Sequence, residues 1–171
     1  LNYVWRFFDL ETGAERNTWK SMDDWMTIQI SETETARSFI NNGTAVLKNW
    51  QTIGGKRYYF DGNGLLWTQD RGWLTVGKNQ FYFKEDGSVF QGFLELEGDT
   101  YYLNANGQMQ KGWQTVKEDG VSSKYYLDPA SGQAWKGHQQ IGKNWYYFDP
   151  ADHGKMAVGY VRDAVLAGYY Y

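Results

Sequence analysis

An aromatic triplet that recurs along the chain is the strongest constraint on its fold. The copies begin 20 to 24 residues apart. They are Tyr58-Tyr59-Phe60, Phe81-Tyr82-Phe83, Tyr101-Tyr102-Leu103, Tyr125-Tyr126-Leu127, Tyr146-Tyr147-Phe148 and Tyr169-Tyr170-Tyr171. A fixed period of this length is typical of repeat arrays, in which each unit buries its apolar face by stacking on a neighbour.

Each triplet lies in the same local pattern. A turn rich in Asp, Asn and Gly follows it, as in Asp61-Gly62-Asn63-Gly64, and a Gly-aromatic pair or a variant precedes it. These pairs are Asn49-Trp50, Gly72-Trp73, Gly92-Phe93, Gly112-Trp113, Gly137-His138 and Gly159-Tyr160. Aromatic runs beside such turns predict β-hairpins that turn at the Asx-Gly residues. The sequence therefore predicts an all-β fold, a β-solenoid of stacked hairpins of about 20–25 residues, over residues 49–171.

The first 48 residues are less regular. Trp5-Arg6-Phe7-Phe8-Asp9 resembles a degenerate first hairpin. Ser31 and Glu34 have the spacing of a capping box, and the apolar stripe after them predicts one or two helical turns near residues 32–41. We therefore expect residues 1–48 to hold a degenerate hairpin plus an irregular or partly helical insertion near 20–48, which could cap the array.

Strand alternation divides each triplet between two faces. The first and third residues, such as Tyr58 and Phe60, are apolar in the first five copies and are predicted to form the core. The middle residue is a Tyr in all five, on the opposite face. Burial of a core does not require a Tyr there, so the second face is predicted to bind a ligand.

Composition excludes several function classes. The net charge is −3 with interspersed charges, so no basic stripe predicts nucleic-acid binding. The chain has no Cys, and no apolar run reaches the roughly 20 residues of a membrane span. The recurring acidic residues lie at turns, where Asp supplies backbone hydrogen bonds. With only His138 and His153 besides, we expect no catalytic residue, metal or cofactor.

Aromatic side chains make up 19% of the residues, and their chemistry suits two ligand classes. Trp and Tyr rings stack on the C–H faces of sugars, and an aromatic cage holds a quaternary ammonium by cation–π attraction. A third hypothesis is a structural stalk whose rings are all core.

The repeat pattern also resembles a known superfamily. The segment from Gly112-Trp113-Gln114-Thr115-Val116 to Tyr125-Tyr126-Leu127-Asp128 is similar to the cell-wall-binding repeats of Gram-positive bacteria. That superfamily includes choline-binding repeats and the glucan-binding repeats of glucansucrases. The resemblance implies a non-catalytic module that anchors a secreted bacterial enzyme or adhesin to polysaccharide or to the cell surface. Because the chain starts without Met and stops within a unit, we expect it to be part of a longer protein.

The likeness points first to glucan. Choline-binding units typically carry a second Trp just before the triplet, and here only Trp145 does so; Arg57 and Lys124 in that place would repel choline. The resemblance therefore favours α-glucan (dextran-like) or another cell-wall polysaccharide as partner, with choline on teichoic acid as the alternative. The candidate ligand-binding residues are Trp50, Tyr59, Trp73, Tyr82, Tyr102, Gln108, Lys111, Trp113, Tyr126, Trp145, Tyr147 and Tyr160.

Overall fold

The computed structural model describes residues 24–41, 45–46 and 48–159, and these residues are all-β apart from one short 3-10 helix, Gln69–Arg71. The strands are β1 Asp24–Gln29, β2 Thr35–Asn41, β3 Ala45–Val46, β4 Asn49–Ile53, β5 Lys56–Phe60, β6 Leu74–Val76, β7 Asn79–Phe81, β8 Gly92–Leu96, β9 Asp99–Leu103, β10 Gly112–Glu118, β11 Val121–Leu127, β12 Gly137–Ile141, β13 Asn144–Asp149 and β14 Lys155–Met156. The all-β prediction is confirmed for this part of the chain.

The described residues form two compact units. The first unit holds the residues up to Gly72 together with Phe83–Val89, and it contains β1 to β5. The second unit holds Trp73–Tyr82 and the described residues from Phe90 onward, with β6 to β14. Repeated antiparallel hairpins build both units.

The loops that join paired strands precede each triplet, whereas the sequence predicts them at the Asx-Gly turns that follow it. The strands β4 and β5 are joined at Gly54 and Gly55, whose φ angles of 56° and 76° give the loop twist that two-residue hairpins need. The Asx-Gly turns instead follow each triplet. In the first of them, Asp61 Oδ1 accepts hydrogen bonds from the N–H groups of Asn63 and Leu65. These turns return the chain to a single bridge, Phe60 with Leu66.

The predicted core face is confirmed in full for the third residue of each triplet, whereas the first residue is buried in three triplets and half-buried at Tyr101 and Tyr146. The last residue of each described triplet is fully buried, namely Phe60, Phe83, Leu103, Leu127 and Phe148. The middle Tyr of each triplet is half-buried on the opposite face. Alternation along the strand therefore separates a packed side from a side that solvent reaches.

The predicted helical turns near 32–41 are wrong, because this segment is strand β2. Ser31 Oγ does accept a hydrogen bond from Glu34 N–H at 3.1 Å, but the bond closes a turn between β1 and β2. The backbone of β2 is satisfied by pairing with β1 on one side and β3 on the other. Ser38 Oγ, fully buried, donates to the Gly64 carbonyl at 2.6 Å.

Backbone hydrogen bonds connect successive hairpins inside each unit. In the first unit, Leu66 N–H donates to the Arg37 carbonyl at 2.7 Å, and Val89 N–H donates to Arg57 at 2.9 Å. The second unit repeats this with Met109 to Gln80 at 2.9 Å and Ala134 to Thr100 at 2.7 Å. The hairpin β1–β2 is therefore bonded to the chain that follows β5 in the same manner as later hairpins are bonded to their successors. The expected hairpin at residues 5–9 and the last triplet lie outside the described residues.

Candidate functional site

Each of the five hairpins from β4–β5 to β12–β13 brings two rings together across its strands. The opening residue is the aromatic residue of the Gly-aromatic pair or its variant, and the central tyrosine is the middle residue of the triplet. Their ring centroids lie 4.9 to 5.2 Å apart, edge-on or tilted. The pairs are Trp50–Tyr59, Trp73–Tyr82, Phe93–Tyr102, Trp113–Tyr126 and His138–Tyr147. The candidate Tyr and Trp residues predicted from these pairs are thus neighbours in space.

A third position, the closing residue, lies beside each pair. Its backbone N–H donates to the carbonyl of the central tyrosine at 2.8 to 2.9 Å. The closing residues are Trp67, Phe90, Gln110, Trp135 and Ala157. Our sequence reasoning missed Trp67 and Trp135, although each is the third residue after the glycine that ends the Asx turn, Gly64 or Gly132. This constant spacing from the turn glycine could have identified both tryptophans.

Three rings meet in the second unit around Tyr126, and we call this set the second-unit cage. Tyr126 lies 5.0 Å from Trp113 and 4.6 Å from Trp135 between ring centroids, at interplanar angles of 67° and 61°. Trp113 is 42% exposed. The rings of Trp113 and Trp135 are thus both steeply inclined to the ring of Tyr126, and Trp113 is reached by solvent.

A carboxylate and a glycine fix Trp135 in the second-unit cage. Trp135 Nε1–H donates to Asp128 Oδ2 at 3.3 Å. The backbone N–H groups of Ser131 and Ala130 hold the pKa of the Asp128 carboxyl below its usual value, so it is charged at neutral pH. Gly154 packs closely beneath, where a Cβ atom would lie 2.5 Å from the Trp135 carbonyl oxygen.

The matching three rings of the first unit are Trp50, Tyr59 and Trp67, which we call the first-unit cage. Tyr59 lies 5.1 Å from Trp50 and 6.2 Å from Trp67. Two guanidinium groups of the chain lie over these rings. Arg57 Cζ is 4.5 Å from the Trp50 ring centroid, and Arg71 Cζ is 4.1 Å from that of Trp67.

Arginine coverage separates the two units. In the first unit Arg37 also lies over a ring, with its Cζ 4.4 Å from the Trp25 centroid. All the described Trp residues of that unit are therefore covered by guanidinium groups. The described Trp residues of the second unit are Trp73, Trp113, Trp135 and Trp145, and no Arg or Lys of the described residues lies over their rings.

The polar candidates Gln108 and Lys111 serve the turns. Gln108 Oε1 accepts a hydrogen bond from Asn104 Nδ2 at 3.2 Å, and Gln108 N–H donates to Asn104 Oδ1. Lys111 Nζ donates to the carbonyl of Ala130. Both side chains thus have intramolecular partners in the structure.

Of the remaining hairpins, β6–β7 also has aromatic residues at all three positions, Trp73, Tyr82 and Phe90, whereas β8–β9 and β12–β13 have two rings there in their described parts. Phe93 stacks on His153, with centroids 4.7 Å apart and planes within 9°, and its closing residue is Gln110. In the last hairpin Trp145 is 68% exposed and the closing residue is Ala157. Tyr160, expected to complete a set with Trp145 and Tyr147, lies outside the described residues.

Within the described residues, no group of three or more His, Cys, Asp or Glu side chains is placed to hold a metal ion. The same residues include no helix with the length and apolar character required to cross a bilayer.

Family profiles match most of the repeat region. The profile described as "Choline-binding repeat" matches residues 90–138. The profile described as "Putative cell wall binding repeat" matches residues 48–66, 72–89 and 137–150. Both matched regions include opening residues and central tyrosines of the hairpins. No curated protein sequence matches the chain.

Solved structures of similar fold come from pneumococcal and phage proteins. Choline binding protein F of Streptococcus pneumoniae superposes with a TM-score of 0.70 at 24% identity, over 96% of this chain and 52% of that one. The cell wall endolysin of phage Cp-1, solved in complex with choline, gives 0.50 at 27% identity over 82% and 39%. The modular autolysin LytC of S. pneumoniae gives 0.51 at 21% identity over 89% and 37%. This chain thus spans about half the length of choline binding protein F.

These matches favour the choline-binding side of the expected resemblance and do not support the likeness to glucan-binding repeats. Choline-binding repeats are non-catalytic modules, which agrees with the expectation drawn from the turns and aromatic faces. The chain therefore belongs to the cell-wall-binding repeat superfamily of Gram-positive bacteria.

Proposed function

We propose that this chain is a non-catalytic module that binds choline groups on a cell-wall polymer through the second-unit cage. The observation that carries the proposal is the set of three rings, Trp113, Tyr126 and Trp135, over which no cation of the described residues lies. The charged carboxylate of Asp128 stands beside Trp135 and adds negative potential to the same place.

The chemistry of the cage fits a trimethylammonium group. Such a group donates no hydrogen bonds, so ring faces and a nearby negative charge are the partners available to it. Each ring contributes about 0.5–2 kcal/mol of cation–π attraction, depending on how dry the site is. A single open cage should therefore bind free choline weakly. Attachment to a polymer that carries many choline groups gains strength when several modules or chains engage it together.

The α-glucan expected from the sequence remains the competing ligand. It was favoured because only Trp145 stands just before a triplet and because Arg57 and Lys124 would repel choline, with Gln108 and Lys111 as candidate polar contacts. Both of these polar side chains are bonded within the turns, so they give glucan no specific support. Sugar stacking on the rings themselves is still chemically feasible, so dextran belongs in the test.

We further propose that the hairpins continue as one β-solenoid and that the module attaches a longer secreted protein to a cell surface. Support comes from the repeated backbone hydrogen bonds between successive hairpins inside each unit. The endolysin and the autolysin with similar folds are themselves described as multimodular and modular. The role of this module would then be to concentrate its parent protein on the wall.

The test is retention on choline-agarose, followed by elution with free choline, alongside electrophoresis through gels that contain dextran. The proposal predicts retention that free choline reverses and no retardation by dextran. Trp135→Ala should lose most of the retention. The matched control Trp145→Ala, which removes an exposed Trp outside the cage, should keep it. Retardation by dextran without retention on choline would replace the proposal with the glucan function.

A further inference from the structure

We infer that the first-unit cage is a latent quaternary-ammonium site that Arg57 and Arg71 keep occupied from within the chain. The inference rests on the proposed function for the kind of ligand. It goes further in assigning a second site, and in naming the residues that close it. The rings concerned are Trp50, Tyr59 and Trp67.

The two cages have the same framework. In both, the opening Trp pairs with the central tyrosine across a hairpin, at registers Trp50–Tyr59 and Trp113–Tyr126. In both, the closing Trp donates its backbone N–H to the carbonyl of that tyrosine. The first-unit cage therefore has the backbone positions and ring types of the open site.

Other side chains already cover ring faces of the first-unit cage. Arg57 stands two residues before Tyr59, on the same strand face, and its guanidinium covers Trp50. Phe83 stacks near Trp50 as well, with centroids 6.1 Å apart and planes within 21°. Arg71 covers Trp67 at 4.1 Å, the shortest of the described Arg–Trp distances. A trimethylammonium would compete with the chain's own cations for both tryptophans.

Asp61 holds Arg71 in this place. Arg71 Nη2–H donates to Asp61 Oδ2 at 2.9 Å, while Asp61 Oδ1 caps the turn. The guanidinium is charged at all relevant pH values and is planar, so it stacks on an indole better than an ammonium does. The covering cation is thus both permanent and oriented by the fold.

Choline must displace the guanidinium groups and then approach their positive charge. Loss of one cation–π contact of about 1–2 kcal/mol corresponds to roughly tenfold in affinity. We expect the first-unit cage to bind choline at least about tenfold more weakly than the second-unit cage. Neutral residues at positions 57 and 71 should remove this difference.

The test is a choline titration of the whole chain, followed by the indole N–H signals in ¹H–¹⁵N correlation spectra. Trp→Phe variants assign the signals of Trp50, Trp67, Trp113 and Trp135. In the wild-type chain the signals of Trp113 and Trp135 should move first, and those of Trp50 and Trp67 only at about tenfold more choline. In the double variant R57Q/R71Q all four signals should move in the same concentration range.

The matched control is Lys124→Gln, which neutralises the residue that corresponds to Arg57 in the second unit. Arg57 pairs with Thr52, and Lys124 pairs with Thr115 at the same register. Because Lys124 covers no ring, this change should leave the first-unit signals as in the wild-type chain, moving only at about tenfold more choline than those of Trp113 and Trp135. An unchanged indole signal of Trp25, which packs on Phe39 and Tyr58, shows that the first unit of R57Q/R71Q is folded.

Equal choline ranges for all four signals in the wild-type chain would overturn the inference, whether or not the variant folds. So would silent Trp50 and Trp67 signals in a folded R57Q/R71Q. Failure of the proposed function looks different, because Trp113 and Trp135 would then stay silent in the wild-type chain. If R57Q/R71Q nevertheless gained a response at Trp67, the inference would stand without the proposed function.

Discussion

The two units put the same turn carboxylate to different uses. In both, one oxygen of the Asp that follows the triplet accepts backbone N–H groups and shapes the turn. The second oxygen of Asp61 binds Arg71, which covers Trp67. The second oxygen of Asp128 accepts the indole N–H of Trp135, and no cation of the described residues lies over that ring.

Under the proposed function, this difference means that the repeat framework and the binding capacity are separable. Hairpin register, core face and closing-residue position are common to both units and follow from strand alternation and turn geometry. Whether the rings can receive a ligand depends on residues outside that framework, above all on where an Arg is placed. A repeat can therefore match its family in shape and still lack an open site.

The largest expected effect is a loss of stability when Gly154, beside the second-unit cage, is substituted, compared with Gly87 in the first unit. Gly154→Ala should destabilise the chain by about 3 kcal/mol, since φ is +81° and the added Cβ would meet the backbone oxygen of Trp135. Gly87→Ala should cost less because its contact is the Leu66 side chain, which can rotate. Urea unfolding measures both.

Gly98→Ala serves as the control for this pair. Its φ is +91°, but nothing lies within 4 Å of the added Cβ, so it carries only the backbone strain of about 1 kcal/mol. Equal losses for all three variants would show that the close approach to Trp135 has no role in holding the second-unit cage.

A smaller effect, with opposite signs in the two units, should follow from neutralising the turn carboxylates. Asp128→Asn should weaken choline binding by about threefold, because a charge near the cation is lost. Asp61→Asn should free Arg71 and strengthen binding at Trp67. Calorimetric titration with choline measures the first, and the Trp67 indole signal measures the second. Two changes of the same sign would contradict the different uses of the carboxylates.

The smallest effect is a pH dependence located in the first unit. The Ser88 hydroxyl, aided by Lys56, holds the pKa of the Asp86 carboxyl well below its usual value despite partial burial. A depressed pKa in the folded state stabilises the fold above the unfolded pKa of about 3.9, and this stability is lost as the pH falls below it.

Asp86→Asn should therefore lower the thermal midpoint at pH 7 and converge with the wild-type chain at acidic pH. Ser88→Ala should do the same to a lesser degree. Thermal unfolding between pH 7 and pH 2 measures the trend. A gap that stays constant with pH would show that Asp86 acts through something other than its charge.

Much of the framework could be predicted from the sequence. The triplets predict the strand faces, because alternation places the two apolar outer residues on one face and the middle Tyr on the other. The opening Trp and central Tyr residues were predicted as candidates for the same reason. The hairpin loops were misplaced, since the Asx-Gly turns dominate the sequence while loops such as Gly54-Gly55 carry a weaker signal.

The remaining features have no counterpart in the repeat pattern and could not be predicted from it. The hairpin β1–β2 lacks both a Gly before Trp25 and an aromatic triplet, so a helical stripe was an equally good pattern for residues 32–41. The effect of Arg57 was expected from its position before the triplet. Arg71 lies in a 3-10 helix without a repeated counterpart, and periodicity alone could not relate it to Trp67.

The most direct test of the central claim is a crystal structure of the chain soaked in choline. The account predicts density for a trimethylammonium group among Trp113, Tyr126 and Trp135, and none among Trp50, Tyr59 and Trp67, where Arg57 and Arg71 should remain over the rings. Choline in the first-unit cage with an empty second-unit cage would contradict the account.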